Sequence, residues 1–515
     1  MPAAGSKKKR HTRSVTKQAS VAARAALPRA DAKKAISLAV GIGASAGGLE
    51  AYRTFFNAMP ANTGMAFILV QHLDPDHASA LVEILRNNTK MEVSHAESGV
   101  AIAANHVFII PPDTIMKIKG GVLQLTRPTS ALERRTSIDT FLMSLAEDQR
   151  ENAVGIVLSG YGSDGARGVT AIKEHGGLTL AQAEFEHSPK VGMPQNAASS
   201  GFVDHVLPLK EMPAALIKHL RYRNNPTSAK RSTAMRHDVA PYLSTICAVL
   251  SSRLGRDFSQ YKTNTVMRRV QRRMQVLQID DVPTYIEQLR ERPTEPVLLV
   301  REILIGVTQF FRDTGAFNAL GSKFIPKLLA SGDATGTIRV WVAGCATGEE
   351  AYSIAILFKE ALAQAGRPRK VQIFATDLND RAIEFARAGL YPASAVADLS
   401  PERLERYFTK EGDQYRISRM LRELCLFSVH DLVKDPPFSK LDLISCRNLL
   451  IYFGTKLQKR VFTMFHYGLQ PHGVLFLGSS EAVATQTALF SSLDKKYRLF
   501  QRRDVPGQIV VPAAA

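Results

Sequence analysis

Short apolar runs of strand length alternate with helical segments along most of this chain, and this alternation limits the possible folds more than any other feature. Between the strands lie amphipathic stretches such as 49–59, 78–86, 138–148 and 166–174. Strands that alternate with helices form βαβ units and pair into a parallel sheet covered by helices. We therefore predict two α/β domains, each a doubly wound parallel sheet. The predicted strands are 37–42, 66–71, 106–110, 154–158, 178–181, 338–343, 371–376, 441–446 and 473–477.

The composition is typical of a globular chain with several domains. A length of 515 residues is too great for one compact core, because domains commonly hold about 100 to 200 residues. With 45% hydrophobic and 22% charged residues, the chain is neither disordered throughout nor fibrous. Its apolar runs are too short for a membrane span. Four cysteines without a CxxC pair fit a reducing compartment and neither a disulfide framework nor a zinc cluster.

Breaks in composition divide the chain into six segments. The first 36 residues hold ten Lys and Arg against one acid, which is typical of a disordered basic tail. A polar, basic stretch without periodicity predicts a linker between the two α/β series. The predicted segments are a tail at 1–36, an α/β domain at 37–220, a linker at 221–238, a helical subdomain at 239–305, a second α/β domain at 306–503 and a tail at 504–515.

A serine follows the first strand in a glycine-rich turn that opens a helix. The segment GASAG at 43–47 fits G-x-S-x-G, a turn that exposes a nucleophilic Ser45 hydroxyl and aims backbone N–H groups at an oxyanion. The turn also fits a dinucleotide-binding fingerprint, and alone it does not decide between the two. His72 follows the second strand, and Asp164 lies in the glycine-rich turn after 154–158. Parallel strands would bring the three side chains to one sheet edge, although a lone histidine is more often structural.

These segments resemble the catalytic domain of the CheB-type chemotaxis methylesterase. The resemblance implies a catalytic triad of Ser45, His72 and Asp164 that hydrolyses glutamyl γ-methyl esters on receptor proteins. Family members often have Thr where this chain has Ala46, which affects a hydroxyl contact but no backbone donor. The resemblance spans about 37–219 and includes GASAGG at 43–48, VQHLDP at 70–75, RRTSID at 134–139, LSGYGSDGARG at 158–168 and GMPQNAA at 192–198.

A second glycine-rich turn, with an acid at the end of the next strand, marks the second α/β series. The segment AGCATGEE at 343–350 lacks the lysine of a triphosphate-binding loop. Asp377 ends the following strand, where a carboxylate suits a ribose diol. Together the two features favour an adenosine-bearing ligand without a polyphosphate, such as S-adenosylmethionine. On these features alone, a purely structural turn is equally compatible.

The surrounding segments resemble the CheR-type glutamate methyltransferase over about 257–502. They include ILIGVTQFFRD at 303–313, AGCATGEEAYS at 343–353, ATDLN at 375–379 and ISCRNLLIYF at 444–453. The resemblance implies a helical N-terminal subdomain, a small β-subdomain within 388–430 and S-adenosylmethionine as cofactor. The residues implied for its pocket are Gly344, Glu349, Asp377 and Asn448, with Thr308 and Arg312 at the mouth and Tyr452 near the transferred methyl group.

Some residues depart from the family pattern or allow a structural role. Gly306 and Ala351 stand where many members have Asn and Pro, which leaves details of cofactor contact open. We expect Arg312 to align the acceptor carboxylate and Tyr452 to shape the path of methyl transfer. The alternative is that Arg312 pairs with Asp313 and that Tyr452 belongs to the core.

Two further motifs bear on the partner. The DPPF segment at 435–438 is similar to a motif of adenine-N6 methyltransferases, which together with a net charge of +19 would indicate nucleic-acid modification. However, the motif precedes the strand at 441–446, which places it at the wrong sheet edge for a base. The four arginines at 268, 269, 272 and 273 fall on one face of a predicted helix. Such a run is usually a solvated face, and the family resemblance implies contact with acidic substrate helices.

We therefore predict a bifunctional chemotaxis-type enzyme of the cytoplasm, a protein-glutamate methylesterase fused to a protein-glutamate O-methyltransferase. The expected partners are chemoreceptors or similar acidic helical signalling proteins, with neither nucleic-acid binding nor membrane insertion. We expect no receiver domain before residue 36, so partners or the neighbouring domain would control the esterase. The alternatives are a nucleic-acid-binding methyltransferase and a signalling scaffold with an inactive site.

Overall fold

The computed structural model describes most of both predicted α/β domains. It describes residues 36–72, 81–183, 192–224, 239–330, 336–366, 369–483 and 486–505. The predicted tails therefore lie almost entirely outside the described residues, and so does the predicted linker from residue 225 onward. Within these ranges, no helix is long and apolar enough to cross a membrane, and no cluster of His, Cys, Asp and Glu could hold a metal ion.

The N-terminal domain is a doubly wound sheet of seven parallel strands in the order β3-β4-β2-β1-β7-β8-β9. A separate antiparallel hairpin, β5–β6, lies beside it. Its strands are β1 (Ala39–Ala44), β2 (Ala66–Gln71), β3 (Glu92–His95), β4 (His106–Ile109), β5 (Ile115–Lys119), β6 (Val122–Thr126), β7 (Ala153–Val157), β8 (Leu178–Gln182) and β9 (His205–Leu207). Its helices are α1 (Gly48–Ala58), α2 (Leu81–Arg86), α3 (Ala131–Arg135), α4 (Ser137–Gln149), α5 (Ala166–Glu174), α6 (Met193–Ser199) and α7 (Met212–Asn224).

Hydrophobic side chains cover both faces of this sheet. Strand β1 is buried along its whole length, as expected for a central parallel strand with helices on either side. Its Gly43 allows helix α4 to approach closely, because an added Cβ would lie 2.3 Å from Ile138 Cγ2. This contact sets the position of α4, whose N-terminus reaches the carboxyl edge of the sheet.

A helical subdomain joins the two sheets. Its helices are α8 (Leu243–Leu254), α9 (Thr263–Leu277), α10 (Val282–Glu291) and α11 (Thr294–Ile303), and they pack around a common apolar core. Helix α7 extends to Asn224, into the first residues of the predicted linker.

The C-terminal domain has a seven-stranded mixed sheet in the order β15-β11-β10-β16-β17-β19-β18, in which only the pairs that involve β19 are antiparallel. The predicted β-subdomain is an antiparallel sheet in the order β12-β14-β13. The strands are β10 (Ile338–Ala343), β11 (Val371–Asp377), β12 (Leu390–Pro392), β13 (Phe408–Glu411), β14 (Gln414–Ile417), β15 (Cys425–Val429), β16 (Leu441–Cys446), β17 (Leu469–Leu477), β18 (Phe490–Asp494) and β19 (Leu499–Arg502). The helices are α12 (Thr314–Ala319), α13 (Ile325–Ala330), α14 (Glu349–Ala365), α15 (Asp380–Ala388), α16 (Pro401–Tyr407), α17 (Arg419–Arg422) and α18 (Thr455–Gly468).

The basic helix α9 is mostly buried, which corrects the prediction of a solvated arginine face. Arg272 Nη2 lies 2.6 Å from Asp204 Oδ2 of the N-terminal domain, and its Nη1 lies 2.9 Å from Glu302 Oε2. Arg273 Nη2 lies 2.7 Å from Glu295 Oε2. Only Arg268 of the four is exposed. The other three, at 269, 272 and 273, pack against acids of this chain.

Lys173 of α5 joins the same buried cluster from the N-terminal domain. Its Nζ lies 3.0 Å from Asp204 Oδ1 and 3.4 Å from Glu302 Oε2. Arg269 Nη1 also lies 3.6 Å from Glu302 Oε1, so three cations surround two buried carboxylates at the boundary between the domains. Although burial raises the pKa of Asp204, the charges of Arg272 and Lys173 lower it well below its usual value overall. The cluster fixes α5 against the helical subdomain.

Candidate active sites

Ser45 lies in the turn between β1 and α1, at the carboxyl edge of the first sheet. Its backbone N–H donates to the Ser159 carbonyl over 2.9 Å, which joins this turn to the one that follows β7. The turn needs glycine at Gly47, whose φ is 80°. Gly160 is equally constrained, since an added Cβ would lie 2.8 Å from Ser45 Cβ. Ser45 is therefore held by two glycine-dependent turns.

His72 and Asp164 form a hydrogen-bonded pair at the same edge. His72 Nε2 lies 2.9 Å from Asp164 Oδ2. The carboxylate is buried and accepts backbone N–H groups of Ile138, Asp139 and Gly165 at 2.8 to 3.0 Å. Four donors thus fix Asp164, which in turn orients the imidazole.

The register of the sheet sets Ser45 beside His72. Ala44 and Gln71, the last residues of β1 and β2, are paired. Ser45 and His72 directly follow these two strand ends. The structure records no hydrogen bond between their side chains in the part of the chain it describes. The N–H groups of Ala46 and Gly47 likewise have no acceptor among the described residues.

Asp139 is a buried acid that sequence reasoning did not assign to the site. Burial, and then the negative charge of Asp164, raise the pKa of its carboxyl group. Its Oδ1 accepts the Gly168 N–H over 2.7 Å, whereas its Oδ2 has no hydrogen-bond partner among the described residues. The RRTSID motif contains this residue, but the sequence did not indicate its contact with Asp164.

A cavity beside the His72–Asp164 pair, called the esterase cavity below, has walls from both domains, and Ser45 is not among the residues that line it. Arg167 of α5 donates to the Ser394 carbonyl of the C-terminal domain, which draws the β-subdomain against this edge. The lining residues from the N-terminal domain include His72, Tyr161 and Asp164, and those from the β-subdomain include Ser394, Lys410, Asp413 and Tyr415.

The second site is the turn between β10 and α14. Gly344 and Gly348 have φ values of 76° and 95°, which glycine adopts without strain. The N–H groups of Gly344 and Cys345 donate to the Thr376 carbonyl over 2.8 and 2.9 Å. These bonds hold the turn against the end of β11, where Asp377 lies.

Asp377 retains capacity to bind a hydroxyl pair. Its Oδ2 accepts the Ala346 N–H over 2.9 Å, and its Oδ1 accepts the Asn379 N–H over 2.8 Å. The backbone of Leu378 also hydrogen-bonds to this carboxylate, and three donors leave at least one of its four lone pairs for a further donor. Burial raises the pKa of Asp377, against the opposing effect of these backbone donors. A half-buried carboxylate beside a glycine turn fits the ribose of S-adenosylmethionine.

Most of the predicted pocket residues line one cavity beside this turn. Glu349 does not line it, whereas its neighbour Glu350 does. Glu349 Oε2 instead accepts the Thr347 hydroxyl over 2.6 Å, and burial raises the pKa of Glu349 to about 7. The predicted residues that line the cavity are Thr308, Arg312, Gly344, Asp377, Asn448 and Tyr452.

The structure also decides the pairing of Arg312. Asp313 binds Arg447, whose Nη2 lies 2.7 Å from Asp313 Oδ2, so the alternative pairing of Arg312 with Asp313 is wrong. Arg312 Nη1 donates to the Val307 carbonyl over 2.8 Å, and the side chain faces the cavity. Tyr452 is also at the cavity and only partly buried.

The DPPF segment at 435–438 lies outside this cavity. Phe438 stacks on Phe374 with ring centroids 4.6 Å apart, and Asp435 accepts the Asp431 N–H over 2.7 Å. None of its four residues lines the cavity. The motif therefore serves the core and a turn at this position.

Both halves of the chain match known protein families. Three family models match: CheB methylesterase over 40–216, the all-alpha domain of CheR methyltransferase over 242–304, and the SAM binding domain of CheR methyltransferase over 306–499. A chemotaxis protein methyltransferase of Listeria monocytogenes is 33% identical over 238 residues, which are 46% of this chain and 87% of that protein.

Two further similarities differ in how much of the chain they cover. An uncharacterized 104.1 kDa protein of Rhodobacter capsulatus is 40% identical over 444 residues, 82% of this chain, and the match spans only 46% of that longer protein. The crystal structure of the Thermotoga maritima CheB methylesterase catalytic domain matches with 28% identity and a TM-score of 0.33, over 35% of this chain and 97% of that one. The three family models and the Listeria monocytogenes relative show that the chain belongs to the CheB methylesterase and CheR methyltransferase families, as a fusion of the two.

Proposed function

We propose that this chain both removes and adds methyl groups on glutamate side chains of receptor proteins. The observation that supports the proposal most is that one chain carries two separate sites of opposite chemistry. One site sets the His72–Asp164 pair beside Ser45, and the other sets Asp377 beside a glycine turn. The substrates we propose are chemoreceptors or similar acidic helical proteins of the cytoplasm.

At the first site, Ser45 would attack the ester carbonyl as His72 accepts its proton. Because Nε2 of His72 faces Asp164, the opposite ring nitrogen, Nδ1, is the one that takes the proton. Asp164 holds this tautomer and stabilises the imidazolium. The N–H groups of Ala46 and Gly47 supply the oxyanion donors. His72 then donates the proton to the leaving methoxide, which departs as methanol. Water hydrolyses the ester between Ser45 and the glutamyl group, which releases the glutamate and restores the serine.

At the second site, the residues bind and align rather than transfer protons. S-adenosylmethionine, when bound, supplies a methyl group on a sulfonium. Asp377 would hold the ribose. The turn that contains Gly344 and Ala346 would allow the cofactor to approach the protein backbone closely. Arg312 would orient the acceptor glutamate, which is already ionised at neutral pH and needs no general base. Tyr452 would shape the path and exclude water.

The proposal is tested with a chemoreceptor cytoplasmic fragment and two assays. Incorporation of labelled methyl groups measures the transferase, and methanol release from a methylated fragment measures the esterase. We expect Ser45→Ala to lose only methanol release and Asp377→Ala to lose only incorporation. Ser492→Ala, at an exposed serine, is the matched control and should lose neither. A wild-type chain without either activity would contradict the proposal.

A further inference from the structure

The methyltransferase cavity contains an acid from the other domain. Glu174 is the last residue of α5 in the N-terminal domain. It nevertheless lines the cavity that also contains Arg312, Asp377 and Tyr452. A side chain of the esterase domain thus reaches the cavity in which we propose that the methyltransferase binds its cofactor and aligns its acceptor glutamate.

The charges around Glu174 suit a bound carboxylate. Burial raises its pKa, while the charges of His175, Arg312 and Arg269 oppose that rise. Burial and then the negative charge of Glu174 raise the pKa of the Tyr452 hydroxyl. Arg312, to which we assign alignment of the acceptor, and Tyr452, to which we assign the shape of the methyl-transfer path, both line the cavity that Glu174 lines.

The backbone of Glu174 is fixed, whereas its carboxylate is not. Arg269 Nη1 donates to the Glu174 carbonyl over 3.4 Å, and the adjacent Lys173 belongs to the buried ion cluster. Arg272 Nη2 donates to the Gly177 carbonyl just beyond the helix. Among the described residues, no hydrogen bond or ion pair to the Glu174 carboxylate is recorded. A rigid frame thus presents a carboxylate whose oxygens remain available.

We propose that Glu174 is itself a methyl acceptor and is converted to its γ-methyl ester by the methyltransferase site of the same chain. A glutamate at the end of a helix has the same chemistry as the substrates already proposed. This inference rests on the proposed methyltransferase function and adds a second, internal substrate.

The reaction needs no group beyond those already named. A carboxylate oxygen of Glu174 forms a bond to the methyl carbon of S-adenosylmethionine as the bond between that carbon and sulfur breaks. The electron pair of the broken bond stays on sulfur, which leaves S-adenosylhomocysteine, and no proton is transferred. The product removes a negative charge that faces Arg312 and Arg269, which weakens the attraction between the domains at this point.

The test maps the ester directly on the full chain. The protein is digested and analysed by mass spectrometry as purified, after incubation with labelled S-adenosylmethionine, and after mild alkali, which cleaves methyl esters. We expect an alkali-labile methyl group on Glu174. Because the reaction occurs within one chain, its rate per protein molecule should not depend on protein concentration. Glu174→Gln should lose it, and so should Asp377→Ala. Glu147→Gln, at an exposed glutamate of helix α4, is the matched control and should keep it.

A chemoreceptor fragment methylated in parallel separates the two proposals. If the fragment is methylated and Glu174 carries no ester in any sample, the inference is wrong and the proposed function stands. If Glu174→Gln then methylates the fragment faster than the wild type, Glu174 is a blocking group rather than an acceptor, which also overturns the inference. If neither the fragment nor Glu174 is methylated, both proposals fail.

Discussion

Asp164 is the most firmly fixed residue of the esterase site. Three backbone N–H groups and His72 use both of its oxygens, so its orientation does not depend on substrate. Among the described residues the His72 ring has one hydrogen bond, to Asp164, and about a quarter of its side chain is exposed. The carboxylate of the His72–Asp164 pair is thus rigid, whereas the imidazole remains accessible at the site.

Replacement of His72 should abolish the esterase without affecting methyl transfer. We expect His72→Ala to lower the rate of methanol release on the order of 10⁴-fold, as loss of a triad member does. Incorporation of labelled methyl groups should stay unchanged, because His72 is absent from the residues that line the second cavity. His95→Ala, at an exposed histidine, is the control. Equal esterase rates in the two variants would exclude His72 from the mechanism.

Glu349 should make the stability of the chain depend on pH. Its folded-state pKa of about 7 lies above its ordinary value of 4.5, so folding favours the protonated form. The contribution of protonated Glu349 to the free energy of unfolding is thus fully present below pH 4.5, and it is lost as the pH rises through about 7. At pH 8 we expect Glu349→Gln to be more stable than the wild type by up to about 3 kcal/mol, at about 1.4 kcal/mol per pKa unit.

Urea unfolding at pH 5 and pH 8 measures this difference. The advantage of Glu349→Gln should be small at pH 5 and large at pH 8. Glu384→Gln, at an exposed glutamate, should show no such dependence. If the free energy of unfolding of Glu349→Gln differs from that of the wild type by the same amount at both pH values, Glu349 is not held protonated by its surroundings.

At the scale of elements, the periodicity of the sequence predicted most of the fold. The buried strands β1, β2, β7 and β10 were predicted to within about two residues, because central parallel strands are continuous apolar runs. The edge strands β3 and β9 were missed. Edge strands are short and partly exposed, as the sequence EVSH of β3 illustrates, so they lack the apolar signal on which the prediction depends.

The sites were predicted from motifs, and the limits of that method are also visible. The glycine turns at Ser45 and Gly344 and the acids that end strands could be placed because chemistry restricts them to the carboxyl edge. Glu349 was predicted to line the cofactor cavity, whereas Glu350 lines it; neighbouring helix residues point about 100° apart, and the motif alone does not fix the rotation of the helix. Contacts between domains, such as that of Glu174 with the second cavity, have no local signal in the sequence.

Helix α9 should be the element on which docking of the two domains depends most. Arg272→Met would leave Asp204 and Glu302 with less compensation in a buried site, and breaking such a cluster costs about 3 to 5 kcal/mol. Arg268→Met on the same helix is exposed and should change the free energy of unfolding by less than about 0.5 kcal/mol. Urea denaturation compares the two. Similar values for both variants would mean that the cluster is not buried in solution.

At the scale of the whole molecule, each site has a wall from the opposite domain. The β-subdomain contributes Lys410, Asp413 and Tyr415 to the esterase cavity, and the N-terminal domain contributes Glu174 to the methyltransferase cavity. The domains are therefore not two enzymes joined only by a linker. Movement of one domain would alter access to both sites.

A chain that adds methyl groups to a receptor and removes them again turns S-adenosylmethionine into methanol. This conversion is measured in a single mixture of the protein, S-adenosylmethionine and an unmethylated chemoreceptor fragment. We predict continuous methanol release with the wild type, accumulation of methylated receptor without methanol with Ser45→Ala, and neither product with Asp377→Ala. Methanol release by the Ser45→Ala variant at the wild-type rate, or methylation of the receptor by Asp377→Ala, would contradict this account.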